Sequence, residues 1–135
     1  MKKYTASIEQ QLQQNSNPVM DLVMCMLHSV TNAHILHLST NSYAAHKALE
    51  NFYTEIGDLV DDFVEAYQGK YGLLTDYRNV FTLAEAPVPY MMYLKDELAR
   101  CRNSGNFPQD TELQNIADEI AALIDSTLYK LRFLN

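Results

Sequence analysis

Apolar residues recur at intervals of three and four along most of the chain, and this spacing predicts four amphipathic helices. The first helix begins at Asn17-Pro18, since Asn can cap a helix and Pro is favoured in its first turn. It ends in the polar run 39–42, whose side chains compete for backbone hydrogen bonds. The positions expected on its buried stripe are Val19, Leu22, Val23, Met26, Leu27, Val30, His34, His37 and Leu38.

The second predicted helix covers residues 43–68, with Ser42 as its N-terminal cap and Gly69 as its stop. The positions expected on its buried stripe are His46, Leu49, Tyr53, Ile56, Val60, Val64 and Tyr67. The connection that follows, residues 69–88, is long for a compact domain. We therefore expect it to be ordered and to include a short helix around residues 74–81.

The third predicted helix opens after the Pro-rich segment 87–89 and ends near Asn103. The fourth begins at Asp110 or Thr111 and continues nearly to Asn135. The positions expected to be buried on these two helices are Tyr90, Met91, Leu94, Leu98, Cys101, Leu113, Ile116, Ala117, Ile120, Ile124, Leu128 and Leu131.

The order of these segments predicts an all-α fold, because no stretch shows the alternation of a strand and no internal repeat is present. Two long helices, a long connection and two further helices indicate a four-helix bundle with a long crossover between helices 2 and 3, the ferritin-like layout. A length of 135 residues fits one domain. We place that domain at residues 1–135, with residues 1–15 as a polar N-terminal arm.

The chain is acidic, with a net charge of −7. This charge disfavours DNA binding, which needs clustered Lys and Arg, and it favours the attraction of cations. Cys25 and Cys101 lie in apolar helical patterns without a CxxC neighbour, which indicates reduced thiols in a cytoplasmic protein. The longest apolar run, residues 22–27, is too short to span a membrane.

Five side chains of the kind that bind metals follow one another in the first half of the chain: His34, His46, Glu50, Asp61 and Glu65. At about 100° per residue, the last four fall within roughly 100° of one another on the second helix. Carboxylates beside apolar neighbours are costly unless they are paired, protonated or metal-bound. Mixed imidazole and carboxylate ligands suit Fe(II), Mn(II) and Zn(II).

Each of these residues also has an ordinary structural explanation. A single His on an apolar stripe usually packs in the core, and a single Asp or Glu on a helix is usually solvated. The di-iron signature Glu-x-x-His, which bundles of this kind use inside one subunit, does not occur in the sequence. A site inside the bundle of one subunit is therefore not expected, and the residues alone leave packing and metal binding both open.

The spacing His34-x11-His46-x3-Glu50-x10-Asp61-x3-Glu65 resembles the ferroxidase motif of the Dps family of miniferritins. The resemblance implies that the two His and Glu50 come from one subunit, whereas Asp61 and Glu65 come from its two-fold partner, with two sites per dimer. It further implies Fe(II) binding, oxidation preferentially by hydrogen peroxide, and storage of ferric mineral in a shell of twelve subunits.

The close likeness covers residues 33–69, and a weaker likeness of helix layout covers the rest. Glu50 stands where the family usually has Asp, and the sequence has no Trp, although many members have one near the site. The Lys-rich tail by which some members bind DNA is not present. His37 lies about one turn after His34, so it is either a polar residue of the core or interface or a helper of the metal ligands.

Three functional hypotheses follow. The first is a cytoplasmic ferroxidase for iron storage and detoxification, with metal ions and further copies of the chain as its partners. The second is a ferritin-like metal-binding or protein-interaction module, which acts as a dimer or small oligomer without storing iron. The third is a structural Zn or Mn site that only stabilises the dimer. The first is the function we expect.

Overall fold

The computed structural model describes residues 17–78 and 81–135, and within them the chain forms four α-helices and no strand. These are α1 (Pro18–Ser39), α2 (Tyr43–Tyr71), α3 (Pro87–Arg102) and α4 (Thr111–Phe133). The all-α prediction is confirmed, as are the starts of α1, α2 and α4 and the end of α1. The predicted start of α3 after residue 89 is wrong, because α3 begins at Pro87, and proline is tolerated in the first turn of a helix. The predicted polar arm, residues 1–15, lies outside the described part of the chain.

Polar side chains fix the starts of the first two helices, as their sequences predict. The side chain of Asn17 accepts a hydrogen bond of 2.9 Å from the backbone N–H of Val19. The hydroxyl of Ser42 accepts one of 3.2 Å from the backbone N–H of Ala45. Each bond satisfies one of the four backbone donors that a helix start otherwise leaves without a partner. The short loop 40–42 therefore separates two well-defined helix ends.

The end of α2 and the connection after it differ from the expectation. The helix continues through Gly69, and the residue that ends it is Gly72, whose φ of 92° lies in the left-handed region that favours glycine. The connection, residues 72–86, contains no helix in the part that the structure describes. The short helix predicted around residues 74–81 is therefore wrong for the described residues of that segment. Hydrogen bonds to α1 order this backbone instead.

Contacts at the helix ends establish the direction of each helix. The loop 40–42 makes α1 and α2 antiparallel. Arg100, near the end of α3, lies 3.5 Å from the carboxylate of Asp21, near the start of α1. Lys70, near the end of α2, forms an ion pair with Asp110, which precedes α4. Because α1 is antiparallel to both α2 and α3, these two helices run in the same direction, and the connection must return the chain along the length of the fold.

The main helix contacts are those of α1 with α2, α2 with α4, α4 with α3, and α3 with α1, so α2 and α3 face each other diagonally. The connection follows α1 on its way back. Arg78 lies 3.0 Å from Asp21 at one end of α1, and the carbonyl of Thr82 lies 3.0 Å from Asn32, three turns later. Four helices thus enclose one core, with the connection packed across α1 and α3.

The buried residues agree with the predicted stripes on α3 and α4 except at Tyr90 and Ile116, which are partly buried, and they differ more on the other two helices. On α1, Leu27, His34 and Leu38 were expected inside but are exposed. On α2, the buried face includes Ala45, Ala48, Phe52 and Phe63, whereas Tyr53, Val64 and Tyr67 are only partly buried. The buried face of α2 keeps Leu49, Ile56 and Val60 of the predicted stripe, and it is rotated from the predicted face by roughly 60°.

Apolar side chains on two sides make α1 unusually hydrophobic for a helix of this size. By length and composition alone it could cross a membrane, with a mean hydropathy of 1.3 over an 18-residue window. Half of that window is buried inside the protein, as in the core helix of a folded domain. The remaining apolar positions, Leu27, Ile35 and Leu38, lie on its exposed side.

Candidate functional site

All five predicted ligand residues lie on α1 and α2, on the side of these helices that faces away from the core. His34 is exposed near the end of α1, and its expected burial is wrong, because Ala33 and Leu36 occupy the buried face of that turn. The other four follow along α2: His46 and Glu50 are half-buried in its first two turns, and Asp61 and Glu65 are exposed in its second half.

His46 is held in place by His37, whose side chain is 7% exposed. The Nδ1 atom of His37 lies 2.6 Å from the carbonyl oxygen of His46, and the Nδ1 atom of His46 lies 2.8 Å from the carbonyl oxygen of His37. The two rings stack with centroids 3.6 Å apart and planes 16° apart. A carbonyl oxygen can only accept, so Nδ1 is the donor in both rings, and each neutral ring has its lone pair on Nε2. Metal-binding histidines are commonly oriented in this way.

Two further rings extend this pair. Tyr53 stacks on His34 with centroids 4.4 Å apart, and it meets His37 edge-on at 5.4 Å. We call His34, His37, His46 and Tyr53 the imidazole cluster. It lies where the end of α1 meets the start of α2. The sequence suggested His37 as a helper but not its contact with His46, because that contact depends on how the two helices are rotated against each other.

Glu50 is adjacent to the imidazole cluster on the surface of α2. Its carboxylate lies 3.3 Å from the ammonium of Lys47, and that ammonium also lies 5.9 Å from the centre of the Tyr43 ring. The hydrogen bond to Glu50 raises the pKa of Lys47. Both partners of the ion pair are about half exposed, and such pairs contribute little to stability. The carboxylate of Glu50 can therefore exchange Lys47 for another cation at low cost.

One chain cannot bring the five residues together. Asp61 follows His46 by fifteen positions on a continuous helix, which separates them by roughly 22 Å. Within residues 17–78 and 81–135, no group of three or more His, Cys, Asp or Glu side chains is arranged to hold a metal ion. A metal site built from the predicted ligands therefore requires a second copy of the chain.

Asn32 is an important polar residue that the sequence analysis did not identify. It is only 2% exposed, and its side-chain amide donates to the carbonyl of Thr82 at 3.0 Å and to the hydroxyl of Tyr90 at 3.2 Å. Its Oδ1 atom accepts a hydrogen bond of 2.8 Å from the backbone N–H of Ala84. Asn32 therefore ties the connection to α1. An amide at a helix position between buried apolar residues was the signal that could have revealed it.

Comparison with known proteins identifies the family but no activity. A family model described as "Family of unknown function (DUF5856)" matches residues 37–131, which is more than half of the chain. No curated protein and no solved structure matches significantly. The matched region contains His46 and Asp61, and His34 lies just before it. The chain therefore belongs to DUF5856, a family whose function is unknown.

Proposed function

We propose that the protein is a ferritin-like ferroxidase of the Dps type, which binds Fe(II) between two subunits and oxidises it with hydrogen peroxide. The proposal depends above all on one observation: five ligand-type residues occur at the spacing of the ferroxidase motif on α1 and α2, and none of them is buried, since three are exposed and two are half-buried. The surface position matters, because a ligand shared between subunits must be accessible to the second copy.

The direction of the helices supports the ferritin-like fold. α1 runs antiparallel to α2 and α3, and α2 and α3 are parallel and diagonal, joined by the one long connection, residues 72–86. Ferritin-like bundles differ from simple up-down bundles in having one such crossover. The sequence alone indicated the long connection, and the ion pairs at the helix ends supply the directions.

A two-fold dimer in which α2 packs against α2 of a second copy would assemble the ligands. In an antiparallel pair that crosses near residues 55–56, the first half of each helix faces the second half of the other. His46 and Glu50 of one copy then approach Asp61 and Glu65 of the other. The two halves also differ in charge, since Lys47 lies in the first and the acidic residues cluster in the second.

The ligand set suits iron oxidation. The Nδ1–H of His46 donates to the carbonyl of His37, so the Nε2 lone pair of His46 is directed away from that carbonyl and can bind a metal. The carboxylates stabilise Fe(III) relative to Fe(II). In the proposed reaction two Fe(II) ions each lose one electron. One hydrogen peroxide accepts both electrons together with two protons, its O–O bond breaks, and two waters form. Iron and peroxide are consumed together, which suppresses the formation of hydroxyl radicals.

The proposal is tested by anaerobic titration with Fe(II), followed by addition of hydrogen peroxide while ferric absorbance is recorded. We expect saturable binding and fast oxidation, both lost in the double variant His46→Ala/Asp61→Ala. The variant His28→Ala is the matched control, since His28 lies on α1 outside the motif and should leave both unchanged. Absence of Fe(II) binding and of accelerated oxidation in the unmodified protein would disprove the enzyme function.

A second candidate is a ferritin-like interaction module without iron storage. It is favoured by the exposed apolar side chains of α1, Leu27 at 38%, Ile35 at 36% and Leu38 at 70%, which suit contact with another protein. A solution mass of two subunits with no iron core after loading would favour this candidate over a storage shell. If chelation dissociated the dimer without any iron turnover, a structural Zn or Mn site would be the better explanation.

A further inference from the structure

A cavity of about 590 Å³ lies between α1, α3 and the connection, on the side of α1 away from the imidazole cluster. Its volume falls within the range of about 300–1,000 Å³ that is typical of small-molecule sites. Its apolar wall includes Met24, Leu83 and Tyr93, and its polar wall includes Tyr90 and two arginines. Nothing in the metal-site proposal uses this cavity, so the two can be tested separately.

Hydrogen bonds at both ends, partly buried around Asn32, hold the cavity in shape. Asn32 fixes one wall, because its three bonds to Thr82, Ala84 and Tyr90 attach both the connection and the start of α3 to α1. At the other end Asp21, whose side chain is 14% exposed, accepts from Arg78 at 3.0 Å. These contacts set the position of the walls before any ligand enters, which lowers the entropic cost of binding.

In the cavity lining the two carboxylates are paired, whereas the guanidinium donors are only partly occupied. Arg78 and Arg100 share the carboxylate of Asp21, and Arg100 also forms bonds of 2.8 and 2.9 Å with the two carboxylate oxygens of Glu97. Both carboxylates are thus already paired. Each guanidinium has five N–H donors, and the bonds to Asp21 and Glu97 occupy only part of them.

Tyr90 adds a free donor at the other end of the cavity, beside Asn32. Its hydroxyl oxygen accepts from Asn32, but its own proton has no acceptor among the residues that the structure describes. Burial raises the pKa of Tyr90, so this proton is retained. The arginines and Tyr90 therefore offer unused donors while both carboxylates of the lining are paired, and a ligand that supplies acceptor oxygens would use these donors.

We propose that this cavity binds a small organic carboxylate, with the carboxylate toward Arg78 and Arg100 at the Asp21 end. The apolar body of the ligand extends toward the Asn32 end and contacts Met24, Leu83 and Tyr93 of the lining. Two charge-assisted bonds to guanidinium groups distinguish the acid from a neutral ligand of the same shape.

The cavity is a binding site and not a site of thiol chemistry. Cys25 is part of its wall, and burial raises the pKa of this thiol to about 12. The thiol therefore stays protonated near neutral pH, and the protonated form is a poor nucleophile and a poor metal ligand. No covalent step at Cys25 belongs to the proposal.

Calorimetric titration of the full chain with 2-naphthoate tests the proposal, with 2-naphthamide as the neutral probe of matched shape. We expect one saturable site for the acid and an affinity at least tenfold lower for the amide. Arg100→Gln should lower the affinity for the acid about tenfold and leave the amide unchanged, whereas Arg132→Gln, on α4 outside the cavity, should change neither.

A second pair of variants tests the location. Ala84→Leu places a larger side chain in the cavity and should abolish binding, while Ala122→Leu makes the same exchange on the exposed surface of α4 and should preserve it. Circular dichroism of each variant confirms that it is folded. Equal affinity for acid and amide, no saturable binding of the acid, or full binding by the folded Ala84→Leu variant would each overturn the proposal.

Discussion

The most informative single perturbation is His37→Ala, because His37 is buried and makes contacts that no neighbour can replace. The exchange removes one hydrogen bond to the His46 carbonyl, worth about 1 kcal/mol net. It also removes a ring that packs on His46 and Tyr53, and lost packing in a core costs about 2 kcal/mol or more. We expect the free energy of unfolding to fall by about 3 kcal/mol, and Tm to fall by roughly 10 °C.

Urea unfolding followed by circular dichroism measures this loss. His28→Ala is the control, since His28 is half-buried and meets Phe81 edge-on at 5.4 Å, and it should cost less than about 1 kcal/mol. His37→Asn should recover about 1 kcal/mol of the loss, because its amide N–H can replace the Nδ1–H donor. If the alanine variants at positions 28 and 37 were equally stable, the reasoning about the paired histidines would be wrong.

Three further predictions concern the core, the connection and the cysteines. Phe63→Ala, at a position only 1% exposed, should lower the free energy of unfolding by about 3–5 kcal/mol, whereas Phe133→Ala, at 74% exposed, should change it by less than about 0.5 kcal/mol in the same urea assay. Asn32→Leu removes three hydrogen bonds and should cost about 3 kcal/mol; limited proteolysis should then cut within residues 72–86 much faster than in the unmodified chain, and unchanged cleavage would contradict the assigned role. Burial raises the pKa of Cys25 from 9.0 to about 12, so the folded chain retains a proton that the unfolded chain loses. The free energy of unfolding should therefore fall as the pH rises from about 9 to about 12, and this fall should be smaller in Cys25→Ala. Alkylation of the Cys25 thiol at pH 8 should be slow until the protein is unfolded.

The helices could be predicted from the sequence because their signals are local. Asn17 and Ser42 cap the helices that they precede, and three-and-four spacing of apolar residues marks α3 and α4 correctly. The rotation of α1 and α2 could not be predicted in the same way. Both helices have apolar or aromatic residues on two sides, and which side faces inward depends on the packing of all four helices. For this reason the predicted burial of His34 is wrong.

The candidate site was predictable only in part. Spacing along one helix predicts that His46, Glu50, Asp61 and Glu65 share one side of α2, and α2 is continuous through all four. The burial expected for His46 is wrong, because its side chain is only half-buried. The bond between His37 and the carbonyl of His46 joins two helices, and no pattern within either helix encodes it. The same holds for Asn32, whose partners lie about fifty positions further along the chain.

Mixing two inactive variants shows whether a metal site is made of His46 from one subunit and Asp61 from another, as we propose. His46→Ala and Asp61→Ala should each abolish saturable Fe(II) binding. When the two variants are unfolded together and refolded at equal amounts, half of the dimers are mixed, and each mixed dimer has one complete site. Fe(II) binding should return to about a quarter of the unmodified level. If mixing restored nothing, while each variant remained folded and dimeric, the shared site would be contradicted.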